Sequence, residues 1–312
     1  MQIIDNNNYE NSIITKDGCG VCLGNFDGVH IGHVSLLKLL TEKCAEKKIP
    51  SGVYTFRTHP SEIICKRPVK LVMTGEQRVE TFADAGVDFV YLEDFTPKYA
   101  SLSPQKFVEE ILVARLKAKL VVVGYDYTFG KMGQGTASDL EELGKNYGFE
   151  VFVVPQVSIE EKKVASTILR ECVGAGKMKD FFKYANRHYS IWGTVVKGRR
   201  VGHKLGFPTA NILPEENLLL PPHGVYATYT EIEGDPAKYH SVTNVGHNPT
   251  FIGDRPCTIE THIIGYDKEL YGKKIKVHFL KQIRREMKFP SPDALSEQMG
   301  KDIEAARKEV FN

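Results

Sequence analysis

Between Gly20 and Pro155 five short apolar runs, GVCLGNF, SGVYTF, DFVYL, LVVVG and EVFVVP, alternate with four stretches of helical pattern, from HVSLLKLLTEKCAEKK to SDLEELGKNYG. Strands separated by the length of a helix cannot close as hairpins; they run parallel in one sheet with helices on its faces. A sheet of this kind binds ligands outside the carboxyl ends of its strands. GNFDGVHIGH, after the first run, and GYDYTFGKMGQG, after LVVVG, therefore face one crevice.

From Tyr189 to about Arg285 the pattern changes. YSIWGTVV, GVYATYTEI, YHSVTNVG, CTIETHIIG and KIKVHFLKQI are divided by turns, which predicts an antiparallel barrel or sandwich. SPDALSEQMGKDIEAARKEVF then reads as a closing helix with Ser291 as N-cap and Pro292 at its first position. Its stripe of Leu295, Met299, Ile303, Ala306 and Val310 is expected to pack on the core. At 312 residues the chain exceeds one ordinary core. The expected fold is α/β: a Rossmann-like domain with a parallel sheet over residues 1–185, then an antiparallel β-barrel domain closed by a helix over 186–312, with no long linker between them.

Composition narrows the partners. A net charge of +2 on this length argues against the broad basic field of a nucleic-acid binder, so phosphate recognition should be local. No window approaches a membrane span, and MQIIDNNNYENS lacks the features of a secretory signal; the reading is a soluble, cytoplasmic protein without membrane or nucleic-acid partners. Cys19 and Cys22 form the one C-x-x-C, but three residues apart on a strand their thiols point to opposite faces, so reduced apolar cysteines are expected rather than a metal site.

The chemistry concentrates in a few places. If a helix begins near His30, then His30 and His33 share the face of its first turn, beside unpaired backbone N–H groups and the positive end of the helix dipole. Gly32 lets a polyphosphate approach, and Gly24 and Asn25 precede the same junction. In ASTILR, Ser166 and Thr167 offer hydroxyls and Arg170 a planar fork for phosphate oxygens. Read alone, the first stretch is equally a glycine-rich turn with two surface histidines, and ASTILR is an unremarkable helix N-terminus.

Together with THP at 58–60 and GYDYTFG at 124–130, these two signatures resemble those of the nucleotidyltransferase superfamily, and specifically the FMN adenylyltransferase module of the bacterial bifunctional riboflavin kinase/FAD synthetase family. HKLGFPTANI, PPHGVY, NVGHNPTF and the segment from Ile259 to Phe289 resemble that family's riboflavin kinase module, in the family's order. The resemblance spans roughly residues 20 to 308. It implies ATP, riboflavin and FMN as substrates and Mg²⁺ as cofactor. In the kinase module it implies Glu260 as the base for the riboflavin hydroxyl, Thr209 and Asn211 as ATP and metal ligands, and Arg284 as a contact to the flavin or its phosphate. In the adenylyltransferase module it implies His30, His33, Arg170, Ser166 and Thr167 on the triphosphate, Asn25 beside them and Asp126 on the flavin side. Glu260 taken alone reads rather as a polar residue on the outer face of a strand, and it is the surrounding match that makes it the base.

Three positions depart from the family pattern: Ala165 stands for a first serine, His203 for an arginine and Arg57 for an acidic residue. The basic run KGRRVGHK reads as a phosphate flap beside the ATP loop. Two rival readings remain, an adenylyltransferase with a degenerate kinase module and a non-catalytic flavin- or nucleotide-sensing protein. The class I aminoacyl-tRNA synthetases also carry HIGH, but no KMSKS-type loop accompanies it in this chain.

Overall fold

The computed structural model describes residues 1–15, 18–66, 68–198, 206–246 and 257–310. His203, most of KGRRVGHK and much of NVGHNPTF lie outside the described residues. The chain divides into two compact units, Met1–Ser166 and Thr167–Asn312. Among the described residues no helix is long and apolar enough to cross a membrane.

The first unit is built on strands β1 (Gln2–Ile4), β2 (Cys19–Leu23), β3 (Ser51–Phe56), β4 (Phe89–Glu93), β5 (Ala118–Gly124) and β6 (Glu150–Val154). All their pairings are parallel, in the order β1-β4-β3-β2-β5-β6. Five of these strands are the apolar runs expected. The sixth, β1, is a three-residue edge strand, too short for any periodicity to mark it. The order reverses at β2, whose neighbours are β3 and β5, and this switch point sets where a ligand crevice opens. Every residue of β2 is buried, including Cys19 and Cys22, whose thiols burial pushes well above their ordinary pKa; they serve as small apolar side chains.

Local sequence explains the covering helices. Helix α1 (Ile31–Lys47) buries Leu36, Leu37, Leu40 and Cys44 along one face. Helix α2 (Pro60–Cys65) follows a His59 cap. Helix α3 (Gly75–Asp84) starts from a reciprocal capping box between Thr74 and Gln77. Helix α4 (Ala137–Tyr147) repeats that device with Thr136 and Asp139 and ends at Gly148 in the left-handed conformation. Between β4 and β5 the chain is helical over Pro104–Phe107 and continues as a π-helix over Val108–Arg115. Under β3 and β4 the buried Glu93 carboxylate accepts from Tyr54 Oη (2.8 Å), Arg115 Nη1 (2.7 Å) and Asn6 Nδ2 (2.8 Å), so its charge is paired and its lone pairs are used. Arg57, at a position where the family resemblance expects an acid, is held between Asp5 (3.1 Å) and Asp94 (3.2 Å).

In the second unit, helices α5 (Ser166–Gly174, whose first residue closes the first unit) and α6 (Met178–Ala185) precede a closed antiparallel barrel. Its strands are β7 (Tyr189–Val196), β8 (Ala210–Ile212), β9 (Gly224–Ile232), β10 (Asp235–Gly246), β11 (Thr258–Ile263) and β12 (Lys274–Arg284), in the order β7-β8-β11-β10-β9-β12. Closure removes the free sheet edges that a sandwich would keep. The barrel interior is partly polar. Thr228 and Ser241 (2.8 Å), Thr228 and Thr243 (2.8 Å), Thr230 and Ser241 (2.8 Å), and Thr243 and Thr261 (3.0 Å) form a hydroxyl chain with no exposed member. Alternation then sends their sequence neighbours to the outer face.

Helix α6 covers one side of this barrel, with Phe181 edge-on to Tyr189 at 5.5 Å. Helix α7 (Pro292–Arg307) covers another. Ser291 caps it by accepting from the Ala294 N–H at 3.2 Å, and Ala306 packs against Ala227, Tyr229 and Leu280. The expected stripe is corrected at its end: Val310 lies beyond the helix and is 82% exposed. The stronger anchor is ionic, because buried Asp302 takes Arg284 Nε (3.0 Å) and Nη2 (2.9 Å). A carboxylate at a helical core position gives no periodic signal.

His188 packs against Phe182 at 4.6 Å and Tyr229 at 5.6 Å, with His278, Lys238 and Glu231 around the same tyrosine and histidine pair. Burial first, then the charges of His278 and Lys238, bring its pKa down from 6.5 to about 4. The folded ring stays neutral where the unfolded one takes up a proton, so stability is full above the unfolded value and is lost as pH falls from 6.5 toward about 4. Melting temperature should decline across that window, and His188→Phe should reduce the slope. An unchanged slope in the variant contradicts this assignment.

Candidate active sites

The carboxyl ends of β2, β3, β5 and β6 open onto one cavity of about 840 Å³. The chain leaves buried β2 and must start α1 within a few residues. It does so through left-handed Phe26 (φ 51°), Gly28 (φ 80°) and Val29 (φ 31°). For a non-glycine residue such a conformation costs about 1–3 kcal/mol, and the β-branched Val29 is the least suited to it. Hydrogen bonds hold the turn. Buried Asp27 accepts the Val72 N–H on Oδ1 (2.9 Å), and its carbonyl accepts Ser166 Oγ (2.6 Å).

This turn sets His30 at the N-cap of α1, where its Nδ1 accepts the His33 N–H at 3.3 Å. Because Nδ1 is an acceptor, the neutral His30 ring carries its hydrogen on Nε2 and donates there. The His33 ring stacks on it, centroids 3.8 Å apart and 16° from parallel. Gly32 leaves room beside the stack: a Cβ there would sit 3.0 Å from His30 Nδ1 and crowd the ring. The expected pairing of His30 and His33 on one helical face is thus realised, together with Gly24, Asn25 and Gly32, at the cavity wall.

Ser166 also lines the cavity as the first residue of α5. Thr167 is exposed, and half-buried Arg170 lies one turn further on the same face as Ser166. Asp126, after β5, receives Lys163 Nζ at 2.7 Å. This bond raises the lysine pKa, and the ammonium lies 4.9 Å from the Tyr125 ring centre. The rest of the wall is aromatic. Phe56 stands edge-on to Phe95 (5.2 Å) and Tyr99 (5.5 Å), with Tyr54, Phe107 and Phe129 around them. Burial pushes the Tyr54 and Tyr99 hydroxyls well above their ordinary pKa, so both remain neutral phenols. One cavity therefore joins a donor-rich helix N-terminus to a slot suited to a flat aromatic ring.

The second constellation lies on the barrel. Glu260 of β11 is directly opposite both Asn211 of β8 and Asn244 of β10, so the three side chains project to one face. That face is the outer one, since neighbouring Thr261 belongs to the interior hydroxyl chain. Asn211 is buried; its Nδ2 reaches the Thr209 carbonyl at 3.4 Å, and its Oδ1 has no hydrogen-bond partner among the described residues. The PTAN segment is pinned from outside by the His262 ring, whose Nδ1 lies 2.8 Å from the Pro208 carbonyl. Arg284 is joined to Asp302 rather than to these three, and its guanidinium lies 5.5 Å from the Phe289 ring centre.

Comparison with known proteins agrees with both halves. A family model for FAD synthetase matches residues 12–168, and one for riboflavin kinase matches residues 185–310. The chain belongs to the bifunctional riboflavin kinase/FMN adenylyltransferase family. It is 34% identical over 289 residues to such a protein from Listeria monocytogenes, covering 92% of this chain and 91% of that one. It is 32% identical over 314 residues to one from Haemophilus influenzae, covering 100% of each. A solved structure from Streptococcus pneumoniae, described as a macrolide-efflux protein, superposes with a TM-score of 0.86 at 32% identity over 99% of this chain and all of that one.

Several residues around this cavity carry no signal in the sequence. The aromatic wall comes from strand ends and from the short helices after β4, where no motif marks it. Lys163 is visible only through the hairpin of Ser158–Ile159 with Lys162–Lys163 that returns it to Asp126. Arg78 binds the backbone of the turn from within α3, and nothing in GEQRVE distinguishes it from a surface arginine.

On the barrel, Gly198 has a steric role: a Cβ there would come within 2.5 Å of Asn211 Nδ2 and 2.9 Å of its Oδ1. Gly198→Ala must displace the whole amide. Riboflavin phosphorylation should fall by at least about tenfold, for a loss near 1.4 kcal/mol in the transition state, while FMN adenylylation is unchanged. Equal kinase activity in the two proteins would remove Asn211 from that site.

Proposed function

We propose that the chain makes FAD in two steps at the two sites, with residues 186–312 phosphorylating riboflavin and residues 1–185 adenylylating FMN. In the first step the 5′-hydroxyl oxygen of riboflavin attacks the γ-phosphorus of ATP, its proton passes to the Glu260 carboxylate, and ADP leaves. The half-buried position of Glu260 opposite Asn211 and Asn244 supports this role. The residues there also suit Mg²⁺: the buried Asn211 Oδ1 is an oxygen donor with no protein partner among the described residues, and Thr209 adds a hydroxyl. When bound, the ion would neutralise charge on the ATP phosphates. Arg284, held by Asp302, would contact the flavin or its phosphate.

In the second step a phosphate oxygen of FMN attacks the α-phosphorus of a second ATP and pyrophosphate leaves. The nucleophile is already an anion, so the site supplies position and charge neutralisation rather than a base. His30, His33 and the α1 N-terminus would take the triphosphate with Asn25, Ser166, Thr167 and Arg170, while Asp126 and the aromatic wall would hold the flavin. The observation that carries this reading is the single cavity joining the histidine-capped helix start to the aromatic slot. Dependence of both steps on ATP favours the cytoplasm as the compartment.

Two variants test the assignment, each assayed for riboflavin to FMN and for FMN to FAD, with circular dichroism as a check on folding. His33→Ala should lower FAD formation about 10²- to 10³-fold, the usual result of deleting a transition-state donor, and leave FMN formation near normal. Glu260→Gln should do the reverse, lowering phosphorylation about 10²- to 10⁴-fold. Parallel loss of both activities in a folded variant would contradict separate sites. Full phosphorylation by Glu260→Gln would remove that residue from the mechanism.

A further inference from the structure

The turn from Gly24 to His30 holds two non-glycine residues, Phe26 and Val29, in left-handed backbone conformations. Such residues persist only where surrounding contacts over-determine them. The contact immediately before Phe26 comes from Arg78. This arginine lies in the first turns of α3, set there by the Thr74–Gln77 capping box, and is only 9% exposed. Its Nη1 donates to the Asn25 carbonyl at 3.0 Å and its Nη2 to the Phe56 carbonyl at 3.0 Å. Thr55 Oγ1 donates to the same Asn25 carbonyl at 3.2 Å and lies 3.4 Å from Arg78 Nη1. One guanidinium thereby ties the carboxyl end of β2 to that of β3 at the point where both open onto the cavity.

A buried cation is expensive, and an ordinary cross-link between two carbonyls does not need one. Burial lowers the Arg78 pKa from its usual value, with the charge of Asp27 opposing that shift. Its Nε has no hydrogen-bond partner among the described residues. A packed apolar side chain would fill this space without a desolvation penalty, but it would leave the Asn25 and Phe56 carbonyls without these donors. What the planar fork adds is fixed direction: two parallel donors define the position of both strand ends, where a lysine supplies one point charge.

We propose that Arg78 is a positioning residue for adenylyl transfer. It holds the Asn25 backbone so that the strained turn delivers Asn25, His30 and the N-terminus of α1 to the nucleotide phosphates, without itself touching them. The inference rests on the adenylyltransferase reading of this cavity. Displacing a reacting group by about 1 Å can cost about 10²-fold in rate, so a shift of the turn should appear in turnover more than in folding.

The test uses the full chain with Arg78→Lys and Arg78→Gln. Wild-type FAD formation from FMN and ATP is measured first, because its absence would fail the functional reading itself. Binding of α,β-methylene-ATP, followed by calorimetry in the presence of FMN, then tests Arg78 independently of turnover. Arg78→Gln should lower kcat for FAD formation about 10²-fold and weaken analogue binding several-fold. Its riboflavin kinase activity should stay within twofold of wild type, which reports on the folded chain. Arg78→Lys should melt close to wild type and recover only part of the kcat. Wild-type kcat and analogue affinity in both variants would overturn the proposal. So would activity lost only in proportion to the fraction of unfolded protein, which would make Arg78 a stabilising residue alone.

Discussion

A buried parallel strand must give way to a helix in the seven residues from Gly24 to His30, and much of the first unit is arranged around making that turn hold. The backbone is unfavourable at Phe26 and Val29, so stability for it has to come from elsewhere. It comes from three directions: Val72 on the Asp27 side chain, Ser166 on the Asp27 carbonyl, and Arg78 with Thr55 on the Asn25 carbonyl. The result is a helix start whose cap is itself an imidazole. His30 both satisfies the His33 N–H and carries the ring against which His33 stacks. In the proposed reading, a chain with a net charge of only +2 takes polyphosphates through donors concentrated at this point rather than spread as a basic surface.

The barrel solves a different problem by parity. Its interior, otherwise apolar, carries a hydroxyl chain, which commits alternate residues of β9, β10 and β11 inward and leaves the others outward. Glu260, Asn211 and Asn244 are the outward set on three adjoining strands. A one-residue slip of β11 would exchange Glu260 with Thr261 and place a carboxylate in the barrel interior, so the hydroxyl chain also guards the register of the site. Gly198 and His262 act on the same group, one by leaving room for the Asn211 amide and the other by holding the Pro208 carbonyl.

What was legible in the sequence follows from the range of the forces involved. The five long parallel strands, the change to an all-β pattern at Tyr189 and the Ser291 cap are local, and periodicity or capping chemistry exposes them. The proximity of His30 to His33 followed from helical spacing alone. The edge strand Gln2–Ile4 forms because β4 offers it a partner, which no local pattern records. The pairing of Arg284 with Asp302 is not legible because a buried ion pair is invisible until its partner is known, and Val310 read as core because an apolar stripe does not announce where a helix stops. The aromatic wall and Arg78 belong to the same class, being brought to the turn only by the sheet order.

If one chain carries riboflavin to FAD through FMN at two sites, a product time course will show the order of the two steps. Purified protein is incubated with riboflavin, ATP and Mg²⁺, and flavins and nucleotides are separated by chromatography as the reaction proceeds. FMN should appear first and FAD follow, with one ADP and one pyrophosphate released for each FAD. Riboflavin left unconsumed by folded protein that binds it, or phosphorylation that stops at FMN with ATP still present, would contradict a two-step synthesis of FAD by this chain.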